Sequence, residues 1–475
     1  MRSDICTLGA VEMARQIRAK HLSARDVVSA HLEQIETVNP RVNAIVTLVA
    51  ERAIAHARAA DDALARGQAV GPLHGLPIAH KDLQLTSGIR TTFGSPIFTD
   101  FVPQEDSLLV ERLKCAGAIT VGKTNTPEFG AGSQTFNPVF GATLNPHDLT
   151  KTCGGSSGGA AAALACGMLP IADGSDMGGS LRNPASFCNV VGLRPSPGRV
   201  PVWPAPTAWS TLSVEGPMAR SAADVALVLS AIAGPDPRSP IALADPGTVF
   251  AAPLGRRFKN VRVAWWKNLG GLPIDARIAQ AVNAQRHVFE LLGCVVEDAE
   301  PDFTDVDEVF KTLRALTFVT GLGAVVARHR HLVKETILWE IDRGVRLTAK
   351  AIGDAEVKRT ELYHRMRRFM ERYEFFVLPV TQVPPFDVRL PYVTEIDGVA
   401  METYIDWMKS CYYVSMFGNP AISVPCGFIA EALPVGLQIV ARHRDDWGLL
   451  QMAYAFEQAC GVNPHWPAVA ALEPS

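Results

Sequence analysis

The sequence has few of the features that mark secreted, membrane-spanning or nucleic-acid-binding proteins. It contains no run of eighteen uncharged apolar residues, and its N-terminus has no apolar stretch, so it predicts neither a membrane span nor a signal peptide. The net charge is −3 and the pI is about 6.5, so there is no basic excess to bind a nucleic acid backbone. We expect a small-molecule partner, with no nucleic acid and no membrane.

Closely spaced cysteine pairs are also missing. The nine cysteines are odd in number and scattered, without a C-x-x-C pair, which is typical of reduced thiols rather than of a disulfide framework. We therefore expect a cytoplasmic protein. His329 and His331 resemble a metal-binding pair, but no third ligand is suitably spaced, so the sequence predicts no metal site.

Internal repeats and low-complexity tracts are absent, and the remaining pattern is that of an ordinary globular protein. Hydrophobic residues make up 48% of the 475 positions and charged residues 20%, which allows a large buried core. From about 72 to 235, short apolar runs alternate with helical stretches and with glycine and proline. This alternation predicts an α/β fold with a mostly parallel mixed sheet covered by helices.

Strand-like runs return near the end of the chain, at 375–380, 421–424 and 435–440. Strands at both ends of one alternating pattern favour a single sheet built from distant parts, and hence one large domain over residues 1–475. We divide this domain into a helical N-terminal region of about 1–70, a core of about 72–220, a variable region of about 240–418, and C-terminal strands and a helix at 419–475.

Two short motif matches point to other functions. Residues 117–124 fit the phosphate-binding pattern G-x-x-x-x-G-K-[ST], but the four intervening residues favour a strand and Pro127 interrupts a following helix. Residues 154–158 fit the G-x-S-x-G nucleophile elbow, with His443 and Asp445 as the best partners. The elbow is the weaker interpretation, because residues 145–153 show no strand leading into it.

Three glycine-containing segments, two of them with serine, carry the chemistry. They are residues 75–82 (GLPIAHKD), 153–160 (CGGSSGGA) and 174–182 (GSDMGGSLR). Together they resemble the signature of the amidase signature family, whose members hydrolyse amides with a Ser-cisSer-Lys triad. The separation of Ser156 and Ser180 matches that pattern, and the resemblance covers most of the chain, dense from about 72 to 220 and thin from 240 to 370.

The resemblance implies the amidase signature fold, a role for each motif residue, and no metal or other cofactor. Ser180 would be the nucleophile, Ser156 the proton relay in a cis peptide, and Lys81 the base. Ser157, Asp176 and Arg182 would support the site, while Gly130, Gly132 and Ser156 would contact the substrate. The family pattern is compatible with a homodimer.

The chemistry is also sensible without the resemblance. Amide hydrolysis needs an activated nucleophile and stabilisation of an oxyanion. The small residues before Ser180 let the N–H groups of Met177, Gly178, Gly179 and Ser180 converge on one oxygen. Lys81 follows an apolar run, so burial would lower its pKa and make a neutral amine base available.

The leading hypothesis is an amidase that cleaves a small aliphatic or aromatic carboxamide through an acyl-enzyme on Ser180. The alternative is the amidase subunit of a tRNA-dependent amidotransferase, which shares the triad but passes ammonia to a partner. A non-catalytic binding protein is disfavoured by the joint presence of Lys81, Ser156 and Ser180. The aromatic residues Trp339, Tyr404, Trp407, Tyr412 and Phe417 would line the substrate pocket or belong to the core.

Overall fold

A computed structural model describes residues 2–461 and 466–470 of the chain. The last residues of the region expected at 419–475 therefore lie partly outside the described residues. The helices are α1 (Arg2–Thr7), α2 (Ala10–Arg18), α3 (Ala24–Val42), α4 (Ala50–Ala65), α5 (Leu108–Cys115), α6 (Gly158–Ala165), α7 (Arg182–Phe187), α8 (Ala222–Ile232), α9 (Ala276–Asn283), α10 (Arg286–Leu291), α11 (Val306–His329), α12 (Glu335–Val345), α13 (Ala349–Arg372), α14 (Lys409–Phe417) and α15 (Asp446–Cys460).

The strands include all the apolar runs singled out in the sequence. They are β1 (Ile45–Leu48), β2 (Pro77–Lys81), β3 (Ile119–Thr124), β4 (Phe136–Asn137), β5 (Gly141–Ala142), β6 (Leu144–Asn145), β7 (Asp148–Thr152), β8 (Ile171–Asp176), β9 (Val191–Arg194), β10 (Val214–Ala219), β11 (Arg262–Trp265), β12 (Val295–Asp298), β13 (Phe375–Pro379), β14 (Glu395–Ile396), β15 (Val399–Ala400), β16 (Ala421–Phe428) and β17 (Pro434–Ala441).

The central sheet has eight strands in the order β12-β11-β13-β17-β16-β9-β10-β8. It draws strands from distant parts of the chain and is flanked by helices, so the α/β class, the single domain and the mixed sheet are confirmed. The balance of strand directions differs from the expectation: β11 runs parallel to β12 and β13, and the other five pairs are antiparallel. A short turn joins β16 to β17 and makes that pair antiparallel, which the helix-strand alternation could not reveal.

A second sheet of three strands, in the order β1-β3-β2, lies apart from the central one. The expectation of one sheet is therefore corrected, since two of the short apolar runs in the region from about 72 to 235, at 76–79 and 118–121, overlap β2 and β3 of this smaller sheet. A hydrogen bond joins the two sheets: the Lys81 main-chain N–H at the end of β2 donates to the side-chain oxygen Oδ1 of Asp173 on β8 at 2.9 Å. This contact brings the ends of β2 and β8 together.

Helix α6 consists of glycine and alanine apart from Leu164, and all eight of its residues are buried. At Gly159 an added Cβ would lie 2.4 Å from the main-chain N of Asn125 and 2.7 Å from the main-chain O of Ala44. Only glycine permits so close an approach to the end of β3. The segment containing Ser156, which leads into α6, is thereby fixed against the smaller sheet.

The segment Val306–Leu332, which includes α11, is long and apolar enough to cross a membrane by length and composition alone. It contains Lys311 and Arg314, so a search for an uncharged run does not find it. Half of its most apolar window is buried inside the protein, as in the core helix of a globular protein. The expectation that no membrane is involved stays a prediction.

Candidate active site

Lys81 ends strand β2 and is fully buried. Its Nζ lies 2.8 Å from Ser156 Oγ, 2.9 Å from Ser157 Oγ and 3.1 Å from Ser175 Oγ. A hydroxyl group both donates and accepts hydrogen bonds, so these three serines satisfy the amine whether it is charged or neutral. The structure thus brings together the predicted base, the predicted relay and two further hydroxyls.

The electrostatic surroundings favour a neutral Lys81. Burial lowers its pKa to about 7, against the opposing effects of Asp176, Asp173 and Glu215, whose charges raise it. None of these carboxylates is within ion-pair distance of Nζ in the described residues. A lysine without a direct carboxylate partner can lose its proton near neutral pH, as a general base must.

Ser156 follows a cis peptide bond, Gly155–Ser156, as the resemblance implied. Its side chain is buried and it lines a cavity that also reaches Ser175 and Ser180. Ser157, the next residue, donates its main-chain N–H to the Ser180 carbonyl oxygen at 3.1 Å. The two serine segments are therefore joined directly, and both predicted catalytic serines lie at one cavity.

Ser180 lies in the turn between β8 and α7 and is 8% exposed. Its hydroxyl makes no hydrogen bond to the described part of the chain, so its lone pairs are available to a ligand in the cavity. Gly179 has φ +118, and an added Cβ there would lie 2.6 Å from Cys411 Cβ. A side chain is excluded at this turn for both reasons.

The predicted oxyanion donors fall into two groups. The N–H of Gly179 is donated to Asp176 Oδ1 at 2.8 Å, so it is engaged within the protein. The N–H groups of Met177, Gly178 and Ser180 have no acceptor among the described residues. Three of the four expected donors can therefore meet an oxygen in the cavity, while the fourth holds the turn.

Asp176 and Arg182 hold this turn from behind. Arg182 donates to Asp176 through Nε at 3.0 Å and Nη2 at 2.9 Å, and to Gln438 Oε1 through Nη1 at 2.6 Å. Burial alone would raise the pKa of Asp176, but Arg182 and Arg194 lower it well below its usual range. The carboxylate stays charged and can accept the N–H groups of the turn, a positioning role that agrees with the support expected of both residues.

The cavity in front of Ser180 has a volume of about 300 Å³. Gly130 and Gly132 line it as predicted. Its apolar wall is formed by Leu83, Phe93, Phe129, Phe318, Leu322 and Met408. Phe93 and Phe129 both have positive φ, which is uncommon for a residue with a side chain.

Of the two places expected for the five aromatic residues, the substrate pocket or the core, the structure puts four in the core. Tyr404, Trp407, Tyr412 and Phe417 are buried, and Trp339 is 37% exposed. Tyr412 stacks on Phe310 with ring centroids 4.1 Å apart, and Trp407 packs against Phe386. They belong to the core and the surface, and none is among the described residues that line the cavity.

Sequence reasoning missed several residues of this site. Ser175 contacts Lys81 directly, and Asp173 accepts the Lys81 main-chain N–H as well as His80 Nδ1 at 2.6 Å. A signal was present for both, since they lie within or next to the GSDMGGS segment. Arg314 also lines the cavity, but it comes from α11, where no local pattern distinguishes it.

The two alternative motifs have structural roles. Lys123 lies within β3, where its Nζ donates to Thr86 Oγ1 at 2.9 Å and to Thr91 Oγ1 at 3.1 Å, so the phosphate-loop pattern is a buried strand as expected. A strand does precede Ser156, because β7 ends at Thr152, and the expectation of a loop there is wrong. His443 lies in a surface groove beside Tyr363, away from the cavity.

The histidine pair acquires no further ligand in the structure. Within residues 2–461 and 466–470, no group of three or more His, Cys, Asp or Glu side chains could hold a metal ion. His331 is exposed and His329 is half-buried at the end of α11. The nine cysteines form no disulfide.

Comparison of the sequence with known proteins finds a matching family and close relatives. The sequence matches the Amidase family over residues 26–450. It is 35% identical to an acylamidase of Rhodococcus erythropolis over 456 residues, 95% of each chain. It is 37% identical over 483 residues to a subunit of the glutamyl-tRNA(Gln) amidotransferase of Synechococcus sp. (strain CC9605), covering 96% of this chain and 97% of that one.

A similar fold is found in a solved structure. A bacterial aryl acylamidase of the amidase signature enzymes superposes with a TM-score of 0.91 at 27% identity, covering 98% of this chain and 99% of that one. The matched family segment contains all three motifs, and the relatives match over almost the whole length. The chain therefore belongs to the amidase signature family, whose enzymes act on amide C–N bonds.

Proposed function

We propose that this protein is a stand-alone amidase that hydrolyses a small aliphatic or aromatic carboxamide through an acyl-enzyme on Ser180. The observation that carries the proposal is the buried amine of Lys81, 2.8 Å from Ser156 Oγ and without a carboxylate partner in the described residues. Such an amine can accept a proton from a serine hydroxyl at neutral pH.

The first half of the reaction forms the acyl-enzyme. The neutral amine of Lys81 takes the proton of Ser156, Ser156 takes that of Ser180, and Ser180 Oγ attacks the carbonyl carbon. The negative charge that develops on the carbonyl oxygen is met by the N–H groups of Met177, Gly178 and Ser180. The proton then passes back through Ser156 to the leaving nitrogen, the C–N bond breaks, and ammonia or an amine departs.

The second half uses the same relay in reverse order. Water enters the place of the amine and gives its proton through Ser156 to Lys81 as it attacks the ester carbonyl. The ester bond breaks as Lys81 returns the proton through Ser156 to Ser180 Oγ, and the carboxylic acid leaves and loses its proton to water. Because side chains and main-chain donors carry every step, we expect activity to survive dialysis against a chelator.

The substrate class is supported by the cavity and by the relatives. A volume of about 300 Å³ with a largely apolar wall fits a small acyl or aryl group. The acylamidase of Rhodococcus erythropolis and the bacterial aryl acylamidase are named for such amides. We extend this substrate class to the present chain, with a cytoplasmic location supported by the absence of disulfides among the described cysteines. A homodimer is compatible with this proposal.

A second candidate is the amidase subunit of a tRNA-dependent amidotransferase. The observation that favours it is the 37% identity to the glutamyl-tRNA(Gln) amidotransferase subunit of Synechococcus, over nearly the full length of both chains. Such a protein would use the same triad to release ammonia from glutamine for a partner. The two candidates share the chemistry and differ in the substrate and in the need for a partner.

Turnover by the purified chain alone separates the two candidates. We would test acetamide, benzamide, acetanilide and glutamine with the wild type and with Ser180→Ala, which removes one hydroxyl from a turn. Hydrolysis of the simple amides by the wild type and its loss in the variant would support the stand-alone amidase. Glutamine as the sole substrate, or a chain that copurifies with a partner and is inactive alone, would favour the transferase.

A further inference from the structure

Arg314 is the only charged residue among the described residues lining the cavity, and the mechanism above does not use it. It lies on α11 and is 3% exposed. The remaining wall is apolar or carries serine, threonine and glycine. A guanidinium placed against such a wall is costly unless its donors are satisfied.

Three of its N–H donors have partners within the protein. Nε donates to Glu340 Oε1 at 2.6 Å and Nη2 to the Tyr404 hydroxyl at 2.7 Å, while Nη1 lies 3.4 Å from Met177 Sδ. A guanidinium has five N–H groups and a thioether is a weak acceptor. Two of the five N–H groups of Arg314 therefore have no acceptor among the described residues, and the one that faces Met177 has only a weak acceptor.

The surroundings hold the guanidinium in one orientation. Tyr404 donates its hydroxyl to the same Glu340 oxygen at 3.0 Å, and the guanidinium carbon lies 4.6 Å from the centre of the Phe318 ring. Glu340 balances the positive charge, while its second oxygen has no partner among the described residues. The pair is neutral as a unit, so its remaining donors suit an uncharged oxygen as well as a carboxylate.

We propose that Arg314 determines substrate specificity by donating a hydrogen bond to an acceptor oxygen of the substrate other than the scissile carbonyl oxygen. The contact with Met177 places the guanidinium next to the first residue of the oxyanion turn, so this second oxygen lies near the scissile carbonyl. The preferred substrates are amides that carry an ether, a second carbonyl or a carboxylate oxygen in the acyl or the amine part. This inference rests on the proposed amidase activity.

Matched substrates test the inference. Each pair consists of two amides of equal length, one of which has an ether oxygen in place of one methylene group. In one series the oxygen is moved along the acyl chain, and in a second series it is moved along the amine part. We expect the wild type to prefer the oxygen-bearing member at one or more positions by about 10-fold or more in kcat/KM, mainly through KM. The preference should fall towards unity in the double variant Arg314→Met/Glu340→Leu, which removes both charges together.

Arg314→Lys serves as the second variant, since it keeps the charge and leaves Glu340 paired if the double variant fails to fold. Lysine has no planar fork of donors, so we expect the oxygen-bearing member of each preferred pair to lose more of its kcat/KM than the plain amide, and the ratio between the two to fall towards unity. Equal losses for both members of every pair would show a structural role only and would overturn the inference. A wild type that cleaves amides without any oxygen preference would also overturn it and leave the amidase proposal intact, whereas no turnover of any amide would reject both.

Discussion

Two fully buried lysines lie on neighbouring parallel strands, and only one of them is suited to act as a base. Lys81 on β2 and Lys123 on β3 are both inaccessible to solvent. Burial lowers the pKa of both, to about 7 for Lys81 and to about 8 for Lys123. By burial and by pKa they are close to equivalent.

The difference lies in what each amine contacts. Lys81 contacts three serine hydroxyls, and two of these serines, Ser156 and Ser175, line the cavity with Ser180. Lys123 contacts the Gln84 main-chain carbonyl and two threonine hydroxyls, and it does not line the cavity among the described residues. A carbonyl oxygen has no proton to give, and neither threonine is among the described residues that line the cavity, so the Lys123 amine has no hydroxyl that leads to the nucleophile. A buried lysine with a lowered pKa can act as a base only where hydrogen-bonded hydroxyls connect its amine to a nucleophile.

The largest expected effect is on the rate. Lys81→Met should lower kcat/KM by about 10³-fold or more, because it removes the proton acceptor for Ser156 and Ser180. Lys123→Met should stay within about threefold of the wild type, provided that the folded fraction is matched by circular dichroism. Steady-state kinetics on a cleaved amide checks both. Comparable losses in the two variants would break the distinction between the two lysines.

Stability should show the opposite order. Lys123→Met removes the buried donor to two threonine hydroxyls and to the Gln84 carbonyl, which keeps only the Thr86 hydroxyl at 3.1 Å, so we expect a loss of about 2 kcal/mol in the free energy of unfolding. The serine hydroxyls around Lys81 can bond one another after Lys81→Met, so the change there should stay below about 1 kcal/mol. Urea unfolding at constant slope measures both. A larger loss for Lys81→Met would contradict this assignment of roles.

A smaller effect is expected from the hydroxyls around each amine. Ser175→Ala removes a group 3.1 Å from the Lys81 amine, and we expect about a 10-fold fall in kcat/KM because the amine is less firmly oriented. Thr86→Val is the matched change at Lys123, where the hydroxyl lies 2.9 Å from the amine, and should leave the rate nearly unchanged. Initial rates of both purified variants decide the matter, and a full rate for Ser175→Ala would remove Ser175 from the account.

The smallest effect concerns pH. Glu215 is a half-buried residue of β10, desolvation raises its own pKa to about 7, and its charge raises the pKa of Lys81. Glu215→Gln removes that charge, so the pKa of Lys81 should fall and the rising limb of kcat/KM should move to lower pH by less than one unit. Asp106→Asn is the control, because Asp106 raises the pKa of Lys123. If Glu215→Gln moved the rising limb of kcat/KM to higher pH, the expected direction of the Lys81 pKa change would be wrong.

The site residues that belong to short sequence motifs could be predicted from the sequence. Lys81, Ser156 and Ser180 each belong to a contiguous segment, and the helical N-terminal region expected at about 1–70 contains α1 to α4, because local apolar spacing determines the buried face of a helix. The strand β7 was missed because it is a short hairpin strand with charged Asp148 and Lys151 among its five residues, so it shows no apolar run.

What depends on contacts between distant segments could not be predicted. The directions of β9, β10, β16 and β17 follow from their pairing across the sheet, which no local pattern records. Arg314 reaches the cavity from α11, whose sequence resembles that of a buried core helix. Phe93 and Phe129 line the cavity with backbones at positive φ, a conformation that no pattern of side chains in the sequence predicts.

The pH dependence of covalent labelling tests the central claim most directly, that the neutral amine of Lys81 activates Ser180 through Ser156. A fluorophosphonate reacts with the activated serine itself, so its rate needs no knowledge of the substrate. We predict that the label falls on Ser180, and that its second-order rate rises with pH about a midpoint near 7 in the wild type and in Lys123→Met, as the Lys81 amine loses its proton. Lys81→Met should label slowly and without that limb. A label on Ser156, or the same limb at near-normal rate in Lys81→Met, would contradict the account.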